Sequence, residues 1–176
     1  MPIFGTNQTV SVARQLLLLR EDYSNPPRRE RELDPLFYAY LKGAHRQVRV
    51  SRQAHVRFSN RKKPSRIDYR LGGSNPTLLE LAVRPPNGTQ ELMGRQNTKE
   101  LRKLSKFSQT TAKRRILLLL DLKAIPIQKL RLKSSYKTVH AGPGKKHRSA
   151  VTVVYVHAKS HYNFSWKPYR SSTTVL

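Results

Sequence analysis

The sequence predicts an α/β fold in which helices flank a mixed β-sheet. Segments with helical periodicity alternate along the chain with segments of strand periodicity. Residues 65–84 alternate with period two on both sides of a Gly-Gly-Ser-Asn-Pro turn, as in an antiparallel hairpin. Ile116–Leu120 is a continuous apolar run, which is typical of a strand with both faces covered.

Two helices are expected before the first strand. Ser11 can cap a helix that runs through about Asp22, and the Ser-Asn-Pro-Pro segment at 24–27 ends it. In the second helix, Asp34 takes the N-cap and Pro35 the first helical position, where a missing N–H costs nothing. An apolar stripe follows, and Gly43 ends this helix.

The later segments complete the alternation. Val48–Phe58 is a basic, alternating stretch that predicts a strand before the hairpin. Asn97 and Glu100 resemble a capping box for the next helix. After the buried strand we expect a short helix at Ile125–Lys133 and a β-branched strand at Val151–Val156.

The charge of the chain indicates a polyanionic partner. It carries 35 Lys and Arg against 10 Asp and Glu, a formal net charge of +25. Nucleic acid is favoured because neutralising phosphates releases condensed counterions. Every acid lies at or before Asp121, and residues 122–176 contain eleven Lys or Arg with no Asp or Glu. This segment predicts a basic C-terminal extension that faces phosphate, with a scaffold-binding extension as the alternative.

Other classes of protein do not suit the sequence. There is no cysteine, so disulfides, thiolate nucleophiles and Cys-based zinc sites are excluded. The apolar runs are too short to cross a bilayer, and no basic amphipathic helix suits a membrane surface. Residues 1–20 lack the pattern of a secretory signal. We therefore expect an intracellular protein with no membrane partner.

Asp68 and Glu80 fall opposite each other if residues 72–76 form the hairpin loop. Facing side chains on neighbouring strands lie roughly 5 Å apart, so two carboxylates at these positions repel. A divalent cation relieves that repulsion, and hard oxygen ligands suit it. The sequence therefore predicts a metal site formed by Asp68 and Glu80.

This arrangement resembles the core of the PD-(D/E)XK nucleases, the restriction-endonuclease-like fold. In that family an acid on the second core strand and an acid-x-Lys motif on the third bind Mg²⁺ around the scissile phosphate. Ile67-Asp68 matches the first part and Glu80-Leu81-Ala82 the second, within roughly residues 30–122. The resemblance implies a Mg²⁺-dependent endonuclease, with Mn²⁺ as a substitute, that acts on DNA rather than RNA; it leaves a homodimer open. It divides the chain into an N-terminal helical segment at 1–28, a nuclease-like core at 29–158 and a basic aromatic tail at 159–176.

The motif lysine of that family is replaced by Ala82. Arg66 and Arg84 are expected on the face of the two acids, and Lys99 follows on the next helix, so each is a candidate for the missing catalytic cation. An arginine can stabilise charge there but cannot act as a base, because it does not deprotonate. The helix acid that some members carry would correspond to Glu32.

Other interpretations of this charged face stay open. Its acids and arginines also fit cross-strand ion pairs on a solvated sheet, each contributing under about 1 kcal/mol. A site lost from a nuclease ancestor would leave a protein that binds nucleic acid without cutting it. The sequence thus predicts either a metal-dependent nuclease or a non-enzymatic, basic nucleic-acid-binding protein.

Basic clusters are the candidates for nucleic-acid contact. Arg61, Lys62 and Lys63 precede the hairpin, and Lys145, Lys146 and Arg148 follow a Gly-Pro-Gly sequence, so both segments predict loops that touch phosphate. Solvated loops are the alternative.

Two further patterns near the C terminus are ambiguous. His157 and His161 would share one helix face as metal ligands, but His157 continues a predicted strand. Aromatic side chains among cations suit stacking on unpaired bases, although core packing explains them equally simply. These aromatics are Tyr155, Tyr162, Phe164, Trp166 and Tyr169.

Overall fold

A computed structural model describes residues 4–56, 64–140 and 149–168. Within these ranges the chain forms four helices and one six-stranded sheet. The elements are α1 (Thr6–Arg20), α2 (Glu30–Ala44), β1 (Val50–Val56), β2 (Ser65–Leu71), β3 (Thr77–Arg84), α3 (Thr98–Ser105), β4 (Arg114–Asp121), α4 (Lys129–Lys137), β5 (Val151–His157) and β6 (Ser160–Trp166).

The sheet is open and mixed, and its strands stand side by side in chain order from β1 to β6. β1, β2 and β3 form an antiparallel meander. β3, β4 and β5 run parallel, connected through α3 and α4, and β6 returns antiparallel to β5. The predicted α/β class with a mixed sheet and flanking helices is confirmed.

Two hydrophobic cores lie on the two faces of this sheet. α1 and α2 contribute Leu16 and Phe37, among others, to the first core. α3 and α4 contribute Leu101 and Leu132 to the second. Every side chain of Ile116–Leu120 is buried, and these residues alternate between the two cores. β4 is therefore the covered strand that its sequence predicts.

The first helix begins earlier than predicted. α1 starts at Thr6 rather than near Ser11, because the Gln8 side chain accepts a hydrogen bond from the Gly5 N–H at 3.1 Å and so caps the first turn. On this helix Leu16 and Leu17 are buried, whereas Leu19 is 38% exposed.

The second helix also begins before its predicted cap. α2 starts at Glu30, so Pro35 lies within the helix and Asp34 is not the N-cap. The Glu32 carboxylate accepts hydrogen bonds from the backbone N–H groups of Arg28 and Arg29 at 2.8 and 3.2 Å, and it therefore satisfies the first turn. This places Glu30 in the first turn of α2, on a helix that packs beside β3.

The C-terminal part of the chain differs most from expectation. Ser160–Trp166, which the sequence places in a basic tail, forms β6 and completes the sheet. α4 starts at Lys129 rather than Ile125, because the N–H of Ile127 is held by the Tyr155 hydroxyl at 2.8 Å in an extended approach to the helix. No helix among the described residues has the length and apolar character needed to cross a membrane.

Candidate active site

Asp68 and Glu80 occupy facing positions where β2 and β3 separate. Backbone pairing joins Tyr69 to Leu79 and Leu71 to Thr77, and the same register brings Asp68 opposite Glu80. The predicted hairpin register is thus confirmed. Beyond Tyr69 the pairing stops, and Asp68 Oδ2 accepts the Leu81 N–H at 3.0 Å in its place.

A second irregularity lies on the other side of β2. The pairing of β1 with β2 skips Gln53 and Asp68, and Gln53 has φ of 53°, in the left-handed region. Ile67 packs in the core under α3, whereas Tyr69 packs in the core under α1 and α2. The regular alternation of β2 therefore changes at Asp68, as at bulges that re-aim a side chain.

Glu80 is buried beneath α3, where Lys103 reaches it. The side chain of Glu80 is 3% exposed, and Lys103 Nζ lies 2.7 Å from its Oε1. Burial, followed by the negative charge of Asp68, raises the pKa of Glu80 to about 9, although Lys103 opposes the rise. A hydrogen bond between the carboxyl groups of Asp68 and Glu80 contributes in the same direction. The pair thus holds a proton at neutral pH when no cation is present.

Lys103 bridges two acids. Its Nζ lies 2.5 Å from Glu100 on the preceding turn of α3 as well as 2.7 Å from Glu80. Burial disfavours the charge on Lys103, but the hydrogen bonds to Glu100 and Glu80 outweigh it and raise the pKa of the ammonium group. Lys103 is therefore a fixed positive charge at the site, and not a proton acceptor.

Glu30 brings a third carboxyl to the neighbourhood of Asp68. The residue as a whole is exposed, yet partial burial of its carboxyl raises the pKa of Glu30 to about 7, with help from the charges of Asp68, Asp34 and Glu100. One turn further along α2, the Asp34 carbonyl accepts a hydrogen bond at 2.9 Å from the hydroxyl of Tyr69, which holds this end of the helix against β2 next to Asp68. The alternative helix acid, Glu32, is committed to the cap of α2.

The contact with Glu80 is made by Lys103 and not by the cations predicted to replace the motif lysine. Ala82 is buried in the core under α3, and the exposed Arg66 hydrogen-bonds to Gln53 on β1. Lys99 is exposed on α3, one turn before Lys103, which makes the contact with Glu80.

Arg84 belongs to a separate polar cluster at the carboxyl ends of β3 and β4. Its guanidinium lies 2.9 Å from Asp121 and 3.1 Å from Glu91. Asp121 is fully buried and also accepts hydrogen bonds from the Tyr155 hydroxyl and from the Lys123 N–H. These bonds tie together the loops that follow β3 and β4, so Arg84 stabilises the fold.

The histidine and aromatic patterns are structural. His157 accepts the Lys159 N–H on Nδ1 at 3.0 Å, so its Nε2 donates to the Lys123 carbonyl at 2.8 Å, which leaves no nitrogen for a metal. Tyr155, Phe164 and Trp166 are buried, and Tyr162 stacks on Tyr155 at 4.5 Å between ring centroids. Core packing therefore explains these aromatics. Tyr169 and the predicted phosphate-binding residues lie outside the described ranges: Arg61, Lys62, Lys63, Lys145, Lys146 and Arg148.

Sequence reasoning missed Glu30 and Lys103. The acidic Glu30-Arg-Glu32 triplet after Pro26-Pro27 is typical of a helical first turn, so the sequence alone could have indicated that α2 begins at Glu30. Lys103 lies four residues after the predicted Lys99, on the same face of α3 and one helical turn further along. The sequence therefore indicated the correct face of the helix but not the residue on it.

The donor set fits a cation held by few protein ligands. Among the residues that the structure describes, no group of three or more His, Cys, Asp or Glu is arranged to hold a metal ion. Mg²⁺, however, is usually held by one or two carboxylates together with water and substrate phosphate oxygens. Glu80 holds a proton at neutral pH and faces Asp68, so a divalent cation bound by these two carboxyl groups would have to displace that proton.

Searches of protein-family models, of curated proteins and of solved structures find no match to this chain. Its function is therefore inferred from the chemistry of Asp68, Glu80, Glu30 and Lys103.

Proposed function

We propose that this protein is a metal-dependent nuclease of the PD-(D/E)XK type in which Lys103 replaces the motif lysine. The observation that carries the proposal is the contact of Lys103 with Glu80. The Lys103 side chain extends from α3 to the sheet face on which Ala82 occupies the position of the motif lysine. The order α2, β1, β2, β3, α3 and β4, with the acids on β2 and β3, supports the same proposal.

Asp68 and Glu80 would hold the cation. Bound there, Mg²⁺ or Mn²⁺ would supply positive charge to the oxygens of the scissile phosphate. Cation binding requires Glu80 to release its proton, because a coordinating carboxyl group must be ionised. When ionised, Glu30 would add negative charge near Asp68, which favours the binding of a divalent cation.

Lys103 would supply a permanent positive charge at the site. An ammonium held at 2.7 Å from Glu80 would lie close to a phosphate bound through a cation at that carboxylate. Its raised pKa keeps it protonated, so it stabilises negative charge as the phosphodiester bond breaks. Removal of one preorganised charge or donor of this kind typically lowers the catalytic rate by roughly 10²- to 10³-fold.

The substrate would be nucleic acid, with DNA favoured over RNA. The net charge of +25 would drive phosphate binding, and phosphate contacts would set the affinity without a need for the catalytic carboxylates. Exposed arginines and lysines of the described residues flank the site on α2 and α3, among them Arg29, Arg31 and Lys99.

A cleavage assay tests the proposal. Single-stranded, duplex and branched DNA are incubated with the protein in Mg²⁺ or Mn²⁺, while binding is measured separately without metal. Asp68→Asn and Glu80→Gln are expected to abolish cleavage and to leave metal-free binding intact, because phosphate affinity comes from Lys and Arg side chains and not from these carboxyl groups. Glu91→Gln is the control, since Glu91 pairs with Arg84 and Lys123 in the separate cluster. Cleavage that survives both site variants would contradict the proposal.

A non-enzymatic nucleic-acid-binding protein is the second candidate function. It is favoured by one observation: Lys103 and the shared proton already compensate the charges of Asp68 and Glu80, so the cluster needs no cation to be stable. This alternative predicts salt-dependent binding and no cleavage by the unaltered protein at any Mg²⁺ or Mn²⁺ concentration.

A further inference from the structure

A groove of about 630 Å³ opens where the α1–α2 connection meets the N terminus of α2. We call it the arginine groove, and it is lined by Tyr23, Asn25, Pro26, Pro27, Arg28, Arg29, Arg31, Glu32, Pro35 and Leu36. Its three arginines are exposed, and Tyr23 is a large aromatic that is 45% exposed. An exposed aromatic among arginines is the combination that binds unpaired nucleotides.

The walls of the arginine groove are held in place. Arg20 Nε donates to the Pro27 carbonyl at 2.7 Å, and the Tyr23 N–H bonds to the Arg20 carbonyl at 3.3 Å. These contacts fasten the α1–α2 connection to the last turn of α1. The groove therefore does not have to be ordered by its ligand.

Charge in the arginine groove is available to a ligand. Its single acid, Glu32, is occupied by the backbone N–H groups of Arg28 and Arg29. Those hydrogen bonds, followed by the charges of Arg31 and Arg29, lower the pKa of Glu32, so it stays ionised and bound to the helix cap. Three guanidinium groups against one engaged carboxylate leave a groove that attracts phosphate.

The arginine groove adjoins the candidate active site. Arg29 and Arg31 lie at the N terminus of α2, and one turn further along this helix the Asp34 carbonyl accepts a hydrogen bond at 2.9 Å from the hydroxyl of Tyr69, the neighbour of Asp68. A strand that places a phosphate at Asp68 and Glu80 would extend towards these arginines at the N terminus of α2.

We propose that the arginine groove binds a single-stranded segment flanking the cleaved phosphate, with one unpaired base stacked on Tyr23 and its phosphates on Arg28, Arg29 and Arg31. This inference rests on the proposed function and names its substrate class, a nucleic acid with an unpaired flank beside the cut. A paired base is stacked between its neighbours in the duplex and cannot lie against Tyr23. Such a protein prefers overhangs, flaps or junctions to blunt duplex.

Metal-free binding to two oligonucleotides tests the stacking contact. One is a blunt DNA duplex, and the other is the same duplex with a single-stranded overhang; fluorescence anisotropy reports the Kd of each. Tyr23→Leu is expected to weaken binding of the overhang substrate by about tenfold, the effect of one base–aromatic stack. Blunt duplex binding stays unchanged, and Tyr23→Phe, which keeps the ring, binds as the unaltered protein does.

The salt dependence of binding tests the arginines. Replacing Arg28, Arg29 and Arg31 together by Gln is expected to reduce the slope of log affinity against log salt by about 2 on single-stranded DNA, roughly 0.7 for each phosphate contact. The matched control replaces three other exposed arginines, Arg14, Arg46 and Arg49, by Gln and removes the same charge. The control is expected to change the slope by less than half as much.

The outcomes separate this inference from the proposed function. Equal weakening of both oligonucleotides by Tyr23→Leu, or none in either, overturns the arginine groove as a single-strand site even if the protein cleaves DNA. Equal slopes for the two triple variants overturn it as well. Selective loss on the overhang substrate supports the groove even if no cleavage is found, because the measurement requires no metal.

Discussion

Replacing Glu80 by Gln is expected to stabilise the folded protein. Glu80 is 2% exposed, and its pKa is raised from the ordinary value of 4.5 to about 9. At pH 7 the folded protein therefore keeps the proton, whereas the unfolded chain releases it, which favours unfolding. One pKa unit corresponds to about 1.4 kcal/mol, so the interval from 4.5 to pH 7 costs the folded state about 3 kcal/mol. Gln is neutral in both states and avoids this cost.

The sign of the pH dependence follows from the same shift. A carboxyl whose pKa is raised on folding contributes its full stability below pH 4.5 and loses it as pH rises towards about 9. The gain from Glu80→Gln should thus be under about 1 kcal/mol at pH 5 and about 3 kcal/mol at pH 7. Cleavage should be absent from this variant at both pH values.

Urea unfolding followed by circular dichroism at these two pH values measures the gain. Glu91→Gln is the control of opposite sign, because the hydrogen bond from Lys123 lowers the pKa of Glu91. The stability that Glu91 contributes is present above its ordinary pKa and is lost as pH falls. The gain in the free energy of unfolding caused by Glu80→Gln is compared at the two pH values. A gain at pH 7 that does not exceed the gain at pH 5 would refute the buried, protonated state of Glu80.

Three other outcomes are expected. Lys103→Met should lower the rate of cleavage by roughly 10²-fold or more, whereas Lys99→Met, at a position that makes no contact with Glu80, should change it less than tenfold; equal rates for the two variants would contradict the role of Lys103. Arg84→Gln should destabilise the fold by about 3 kcal/mol in thermal or urea unfolding, because the buried Asp121 loses its ion-pair partner; cleavage per folded molecule should stay unchanged, and a selective loss of cleavage would return Arg84 to the active site. Neutralising the basic cluster at 61–63 should lower both the affinity for DNA and the salt slope; values equal to those of the unaltered protein would identify a solvated loop.

The sheet was predictable where local pattern and burial agree. The turn at 72–76 and the alternation on either side determined the register of Asp68 and Glu80, which the pairing of β2 with β3 confirms. The apolar run at 116–120 likewise identified the covered central strand. These features depend on short-range sequence patterns that tertiary contacts reinforce.

Helix starts and the partners of charged side chains were less predictable. Asp34-Pro35 is a strong local start signal, but α2 has its N-cap five residues earlier, at Arg29, whose backbone N–H donates to the Glu32 carboxylate. The Asp34 side chain instead accepts hydrogen bonds from Arg52 and from the Tyr69 hydroxyl. The position of Lys103 over Glu80 depends on where α3 crosses the sheet, which periodicity does not encode. The sequence did not predict β6, because its basic and aromatic residues also fit an unpaired extension.

The order of the strands has a consequence for how this chain folds. Each strand pairs with the strand that precedes it, so the sheet can grow by one edge at a time as residues become available. Connections between neighbouring strands are short for β1–β3 and need a helical crossover only on either side of β4. Glu30, Asp68, Glu80 and Lys103 all precede β4, so the chain that carries them is synthesised before the strand that buries β3. Until β4 is added, β3 presents an unpaired, apolar edge, and such edges are prone to aggregate during synthesis.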